Sequence, residues 1–143
     1  MVSWGYGTGY TSEFDWVGTR DVTPWLAAPD GIRFVEALNP RAWRRYTHDL
    51  AWTGAGILTE QWGTALDVPE SSVASMVTVL TAERCGTTKA DASRLRDYLL
   101  FEHNIEVQVH ARVNRVWIRF CAQAYTEMAD VEKLGAAVLC YGR

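Results

Sequence analysis

Arg119 and His110 are the residues whose types and spacing most directly offer chemistry. Each sits in a run of strict apolar alternation, Ile105-Glu106-Val107-Gln108-Val109-His110 and Val116-Trp117-Ile118-Arg119-Phe120. A period of two turns successive side chains to opposite faces of a strand, so His110 and Arg119 project away from Val107 and Ile118. If a hairpin pairs His110 with Arg115, then Gln108 faces Trp117 and Glu106 faces Arg119, giving a polar, aromatic and cationic sheet face. The planar guanidinium of Arg119 suits two-pronged binding of a carboxylate. Its competing use is a solvated cross-strand ion pair with Glu106, which contributes little. His110 offers proton transfer or a contact to a bound substrate, against a plain cross-strand polar contact. His48 falls on the polar side of a long helical pattern, where a structural role is expected.

The stretch Phe14-Asp15-Trp16-Val17-Gly18-Thr19-Arg20-Asp21 carries a second possibility. In Gly18-Thr19 a hydroxyl and a backbone amide stand beside a residue without a side chain, which permits close approach of a phosphate oxygen. The alternative is a turn that only precedes a helix start. Just upstream, Ser3-Trp4-Gly5-Tyr6-Gly7-Thr8-Gly9-Tyr10 strings three aromatics on a flexible backbone. Aromatic area on such a strip is expected to be covered by something else.

The elements that must position these residues follow in order. Thr23-Pro24 reads as an N-cap with Pro at the first helical position, and Asp30 after Pro29 offers a second start. A helix then runs through Ile32, Phe34, Val35 and Leu38. Asn39-Pro40 repeats the signature, and Trp43, Tyr46, Leu50, Gly54, Ile57, Leu58 and Trp62 keep a helical period for about six turns up to Gly63. Residues 73 to 80 read as a strand between Pro69 and Gly86. Thr88 caps a helix carrying Ala92, Leu95, Tyr98 and Leu99, with Asp91 as its capping-box partner. The two alternating runs are joined by the four residues Ala111 to Asn114. A last helix from about Glu127 places Val131, Leu134, Ala137 and Val138 on one face. This order predicts an α+β fold with an antiparallel sheet of about three strands and helices packed on one face.

Composition narrows the classes. A chain of 143 residues suits one domain, able to bury about 68% of its unfolded surface. The net charge of −3 argues against a nucleic-acid partner, which calls for clustered positive charge. The longest apolar runs are strand-sized and the N-terminus lacks the layout of a signal peptide, so a cytoplasmic protein with no membrane partner is expected. Cys85, Cys121 and Cys140 have no metal-ligand spacing and read as small apolar fillers in a reducing compartment. Of the fourteen basic residues only Lys89 and Lys133 are lysines.

The run Val116-Trp117-Ile118-Arg119-Phe120-Cys121-Ala122-Gln123-Ala124-Tyr125, followed by a helix with Asp130 and Leu134, resembles the C-terminal signature of class V aminotransferase-like enzymes. These are pyridoxal 5'-phosphate (PLP) enzymes of fold type I, and the similarity is to their isopenicillin N epimerase-like branch. Ile105 to Ala111 is similar to the same branch. Trp16-Val17-Gly18-Thr19-Arg20-Asp21, leading into Trp25-Leu26, resembles a corner whose Gly-Thr pair reaches across a dimer to the cofactor phosphate of the neighbouring subunit. The resemblance covers almost the whole chain.

It implies the small C-terminal domain of fold type I in residues 23–143, with residues 1–22 as a remnant strand and interdomain or dimer limb. It implies substrate binding by Arg119, which matches an Arg two positions before a Ser; Cys121 replaces that Ser and weakens a hydrogen bond. His110 faces the same side, and Gly18 with Thr19 takes the cofactor-binding role. The family's Schiff-base lysine lies in the large domain, ahead of the position of Met1, and neither Lys89 nor Lys133 matches it. The implied partners are an amino-acid substrate and a PLP-bearing large domain or homodimer subunit, and the chain alone is expected to be inactive, with no catalytic residue of its own. Cysteine desulfurases of the family carry a Cys in the loop after the 105–110 strand, whereas Ala111-Arg112-Val113-Asn114 has none. Epimerase, C–S lyase or aminotransferase-like chemistry remains. The competing expectation is a non-catalytic binding or dimerisation module that uses Trp4, Tyr6, Tyr10, Phe14 and Trp16 as a partner surface.

Overall fold

The computed structural model describes residues 4–15 and 18–142. It divides into two compact units, Met1–Leu38 and Asn39–Arg143.

In the first unit, α1 spans Tyr10–Asp15 and α2 spans Thr23–Ala37. Thr23 is the first helical residue and not the cap. Its amide donates to Asp21 Oδ1 at 2.9 Å, so the capping side chain comes from two residues earlier. Bonds from the Thr23 side chain and backbone hold the Asp21 carboxyl below its ordinary value. The expected second start at Asp30 does not occur, because α2 runs straight through Pro29. Asp30 instead pairs with Arg33 one turn on.

In the second unit, α3 spans Pro40–Trp62, β1 Met76–Leu80, α4 Lys89–His103, β2 Gln108–Arg112, β3 Arg115–Cys121 and α5 Met128–Cys140. The three strands form one antiparallel sheet in the order β1-β3-β2. Helices α3, α4 and α5 cover one face, meeting Val77 and Val79 of β1 and Val116, Ile118 and Phe120 of β3 in a single core. This is the α+β layer expected from the order of the elements.

Each helix ends for a local reason. Asn39 adopts φ 56° and accepts from the Ala42 amide at 3.4 Å, while Gly63 closes α3 at φ 66°. The inward face of α3 carries Leu50, Ala51, Gly54, Ala55, Leu58 and Trp62. Gly54 lets α5 approach: a methyl there would meet Val131 Cγ1 at 3.1 Å and Phe120 Cζ at 3.3 Å. At the far end of α5, Arg84 donates to the carbonyls of Val138 and Leu139, satisfying a helix terminus.

The capping box of α4 is complete. Asp91 Oδ2 accepts from the Thr87 and Thr88 amides and the Thr88 hydroxyl, and the Asp91 amide donates back to Thr88 Oγ1. Gly86 sits beside it at φ 92°, where a side chain would be strained and would collide with the Asp91 carboxyl. The Thr88 side chain, with the Thr88 and Thr87 amides, holds the Asp91 carboxyl at about 2, down from 3.8. A depressed folded-state value stabilises above the ordinary value and is lost as the carboxyl protonates. Stability measured by denaturant unfolding is therefore expected to fall between about pH 4 and pH 2, and Asp91→Asn is expected to flatten that limb. An unchanged acid limb in the variant would remove Asp91 as its source.

The hairpin differs from its sequence reading. The Ile105 amide donates to the Leu99 carbonyl at 2.9 Å, and Asn104 takes φ 53° to close α4. β2 begins at Gln108. The turn is then only Val113-Asn114, at φ 50° and 53°, a two-residue turn with both centres left-handed. His110 consequently pairs with Trp117 and Gln108 with Arg119. The expected pairs His110 with Arg115 and Glu106 with Arg119 do not form. The shift is two residues, so every side chain keeps its predicted face.

Two smaller expectations also change. β1 starts at Met76 and not at residue 73, and of the cysteines only Cys85 is buried, while Cys121 and Cys140 are exposed. Burial pushes the Cys85 thiol up.

Candidate functional site

The face of the sheet opposite α3, α4 and α5 displays Met76 and Thr78 from β1, Gln108, His110 and Arg112 from β2, and Arg115, Trp117, Arg119 and Cys121 from β3. Alternation alone explains this selection, because the neighbouring positions fill the core. Arg119 lies in the central strand, flanked by Thr78 on one side and Gln108 on the other. Its guanidinium joins none of the ion pairs among the described residues.

Two clefts meet at Arg119. One, of about 720 Å³, is lined by Arg119 together with Glu106, Cys121, Tyr125 and Asp130. The other, of about 490 Å³, is lined by Arg119 with His110, Arg112, Trp117, Leu66 and Val68. The first therefore has an acidic rim and the second a cationic and aromatic one. Trp117 is held in place by its indole Nε1, which donates to the Arg112 carbonyl at 3.0 Å.

An arginine with a free fork between two clefts can bind a carboxylate with two parallel hydrogen bonds. Cys121, two residues on and facing the same side, has only long polar contacts among the described residues: 3.7 Å from Gln123 Nε2, 3.8 Å from the Ala122 carbonyl and 3.9 Å from Ser75 Oγ. A thiol at such distances positions its neighbours weakly.

Of the residues singled out by sequence, the sheet brings His110 and Arg119 to one cleft. His48 lies elsewhere, with Nδ1 3.1 Å from the Val73 carbonyl and Nε2 3.3 Å from Glu70 Oε1. The bond to Glu70 raises its pKa, and the residue ties α3 to the 3-10 turn Glu70–Ser72. Gly18 and Thr19 belong to the first unit, where Gly18 has φ 101° and Thr19 is exposed. Trp16 and Val17 lie outside the described residues. Lys89 and Lys133 are exposed and line neither cleft.

Sequence reasoning gave no site role to Arg112, Tyr125 or Asp130. Arg112 shares the period of Gln108 and His110 and was legible as a strand residue, had the turn been read as two residues long. Tyr125 and Asp130 join the cleft only because the chain turns back after β3, which no spacing announces. Among the described residues no group of three potential metal ligands converges, and no helix is long and apolar enough to cross a membrane.

No protein-family model matches the sequence. Among proteins of known name, the chain is 30% identical over 96% of its length to a protein of Oryza sativa subsp. japonica named as an L-cysteine desulfhydrase, spanning 33% of that protein. It is 28% identical over 96% of its length to L-cysteine desulfhydrase of Arabidopsis thaliana, spanning 34% of it. It is 32% identical over 85% of its length to isopenicillin N epimerase of Streptomyces clavuligerus, spanning 30% of it. The chain thus spans about a third of the length of the relatives it matches.

Proposed function

We propose a function on the premise that the chain belongs to the class V aminotransferase-like family, with the L-cysteine desulfhydrases and isopenicillin N epimerase. Residues 23–143 act as the small C-terminal domain of a PLP-dependent enzyme of amino acids, and residues 1–22 act as its interdomain or dimer limb. The domain supplies Arg119 for the substrate α-carboxylate, with His110 beside it. Gly18 and Thr19 supply an amide and a hydroxyl to the cofactor phosphate of a neighbouring subunit. The setting is cytoplasmic, and the working assembly is a dimer or a pairing with a PLP-bearing large domain.

Arg119 is the observation that carries this reading. Among the described residues its fork joins no ion pair, and it stands on the sheet face opposite α3, α4 and α5, where two clefts meet. The chain's own lysines do not fit the cofactor-bearing role. Both are exposed, one at the first turn of α4 and the other on the outer side of α5, and neither faces a cleft. The lysine that holds PLP, which supplies an electron sink next to the amino-acid α-carbon, comes from outside these residues. What this chain does is orient the carboxylate and line the space around it.

The test is to incubate the purified chain with PLP, reduce with borohydride and map the products by mass spectrometry. The expected result is no lysine labelled above the level given by an unrelated surface lysine. A single stoichiometric label on Lys89 or Lys133 would overturn the assignment of the cofactor-bearing role to another chain or domain.

A second reading rests on the aromatic leader. Trp4 is 92% exposed, Tyr10 81% and Phe14 58%, and clustered exposed aromatics of this kind often mark a partner surface. In that reading the chain is a binding or dimerisation module without a catalytic role. Assembly with a PLP-bearing large domain into an active enzyme separates the two.

A further inference from the structure

We propose that the cleft beside His110 and Arg112 takes a second anionic group of the substrate, so that the substrate class is an amino acid with a distal carboxylate. The inference rests on the reading of Arg119 as the α-carboxylate site and deepens it.

Four observations converge on this cleft. First, Arg112, Arg119 and His110 line one space of about 490 Å³, and the single carboxylate among the other lining residues, Asp67, forms an ion pair with neither arginine. Second, the sheet register sets the spacing. His110 pairs with Trp117, so it is the diagonal neighbour of Arg119, roughly 7–8 Å away with the Cβ atoms somewhat closer, and Arg112 follows His110 two residues along β2. A short dicarboxylate reaches from one group to the next at that spacing.

Third, Arg112 pairs directly with Arg115 across the hairpin. Like charges opposite each other destabilise a strand pair. Arg115 is engaged elsewhere, donating to the Thr81 carbonyl at 3.2 Å and lying 3.9 Å from Glu83. Arg112 has no such partner among the described residues, and a bound anion relieves the repulsion. Fourth, beside Thr78 and Asp67 the rest of the lining is apolar, with Leu66, Val68, Val113 and the pinned indole of Trp117. That surface suits the methylenes joining two carboxylates. The cleft on the other side of Arg119 carries Glu106 and Asp130, which disfavour a second carboxylate there.

The test is a titration of the isotopically labelled chain with L-glutamate and, separately, L-glutamine at low salt, followed by amide and indole NMR shifts. The two amino acids differ only in the charge of the distal group. Glutamate is expected to bind roughly 10-fold more tightly, with the extra shifts at the Trp117 indole and the Arg112 and Val113 amides. Arg112→Gln and His110→Asn, both at exposed positions and checked for an undisturbed spectrum, are expected to bring the ratio towards one. Arg119→Gln is expected to abolish binding of both. Equal binding of the two ligands that still needs Arg119 overturns the second-anion site and leaves the α-carboxylate reading standing. A glutamate preference that survives Arg112→Gln and His110→Asn also overturns it. Binding indifferent to Arg119→Gln, or no binding of either ligand, overturns both.

Discussion

Replacing Arg119 by Ala is expected to lower kcat/KM for the amino-acid substrate by about 10²–10⁴-fold in the enzyme formed when this chain is assembled with a PLP-bearing large domain. The figure follows from two charge-assisted hydrogen bonds to one carboxylate, each contributing roughly 1.5–3 kcal/mol, with about 1.4 kcal/mol per factor of ten. Because the carboxylate is held alike before and during reaction, most of the loss is expected in KM and little in kcat. Arg119→Lys keeps the charge but not the fork, so it is expected to recover only part of the loss. Steady-state kinetics on the three proteins checks this. A wild-type KM in Arg119→Ala would return the residue to the role of a solvated strand cation. The fold itself is expected to survive the change, because Arg119 lies between Thr78 and Gln108 at an exposed position of β3.

Trp62→Ala is expected to be the most damaging single change to stability. The indole is 5% exposed in the last turn of α3, packs into the core, and donates from Nε1 to the Gly135 carbonyl of α5 at 3.3 Å. Truncating a buried tryptophan costs about 3–5 kcal/mol, against a total of roughly 5–15 kcal/mol for a domain. Chemical denaturation is expected to show a correspondingly lower midpoint. Trp62→Phe keeps much of the apolar area and loses the hydrogen bond, so a cost of roughly 1–2 kcal/mol is expected. Equal losses in the two variants would mean that the hydrogen bond, and not the buried area, holds α3 to α5.

Much of the second unit is legible in the sequence because its signals are local. Asn39-Pro40 and Gly63 bound α3, Thr88 with Asp91 starts α4, and Glu127 with Asp130 starts α5, each through bonds made within a few residues. Strict alternation likewise places His110 and Arg119 on one face, since a strand has no other way to order its side chains. Local signals misled where two of them competed. Thr23 looks like a cap, but Asp21 reaches its amide first, and Pro29 looks like a break yet sits inside an exposed helix.

The hairpin register shows where sequence stops. A shift of two residues leaves every apolar side chain facing the core, so alternation accepts both registers equally. Val113 is β-branched and costs something at φ 50°, which hides a two-residue turn from any local reading. The decision lies in the turn, where Val113 and Asn114 both take left-handed φ and close the hairpin with two residues, while the end of α4 keeps Glu106 out of β2. By itself, then, the sequence determined the layer of helices on a three-stranded sheet and the faces of its strands. Tertiary structure alone decided that Arg119 stands opposite Gln108 and not Glu106, and that Arg112 joins its cleft, because register is set by the backbone conformation of the turn, which alternation does not encode.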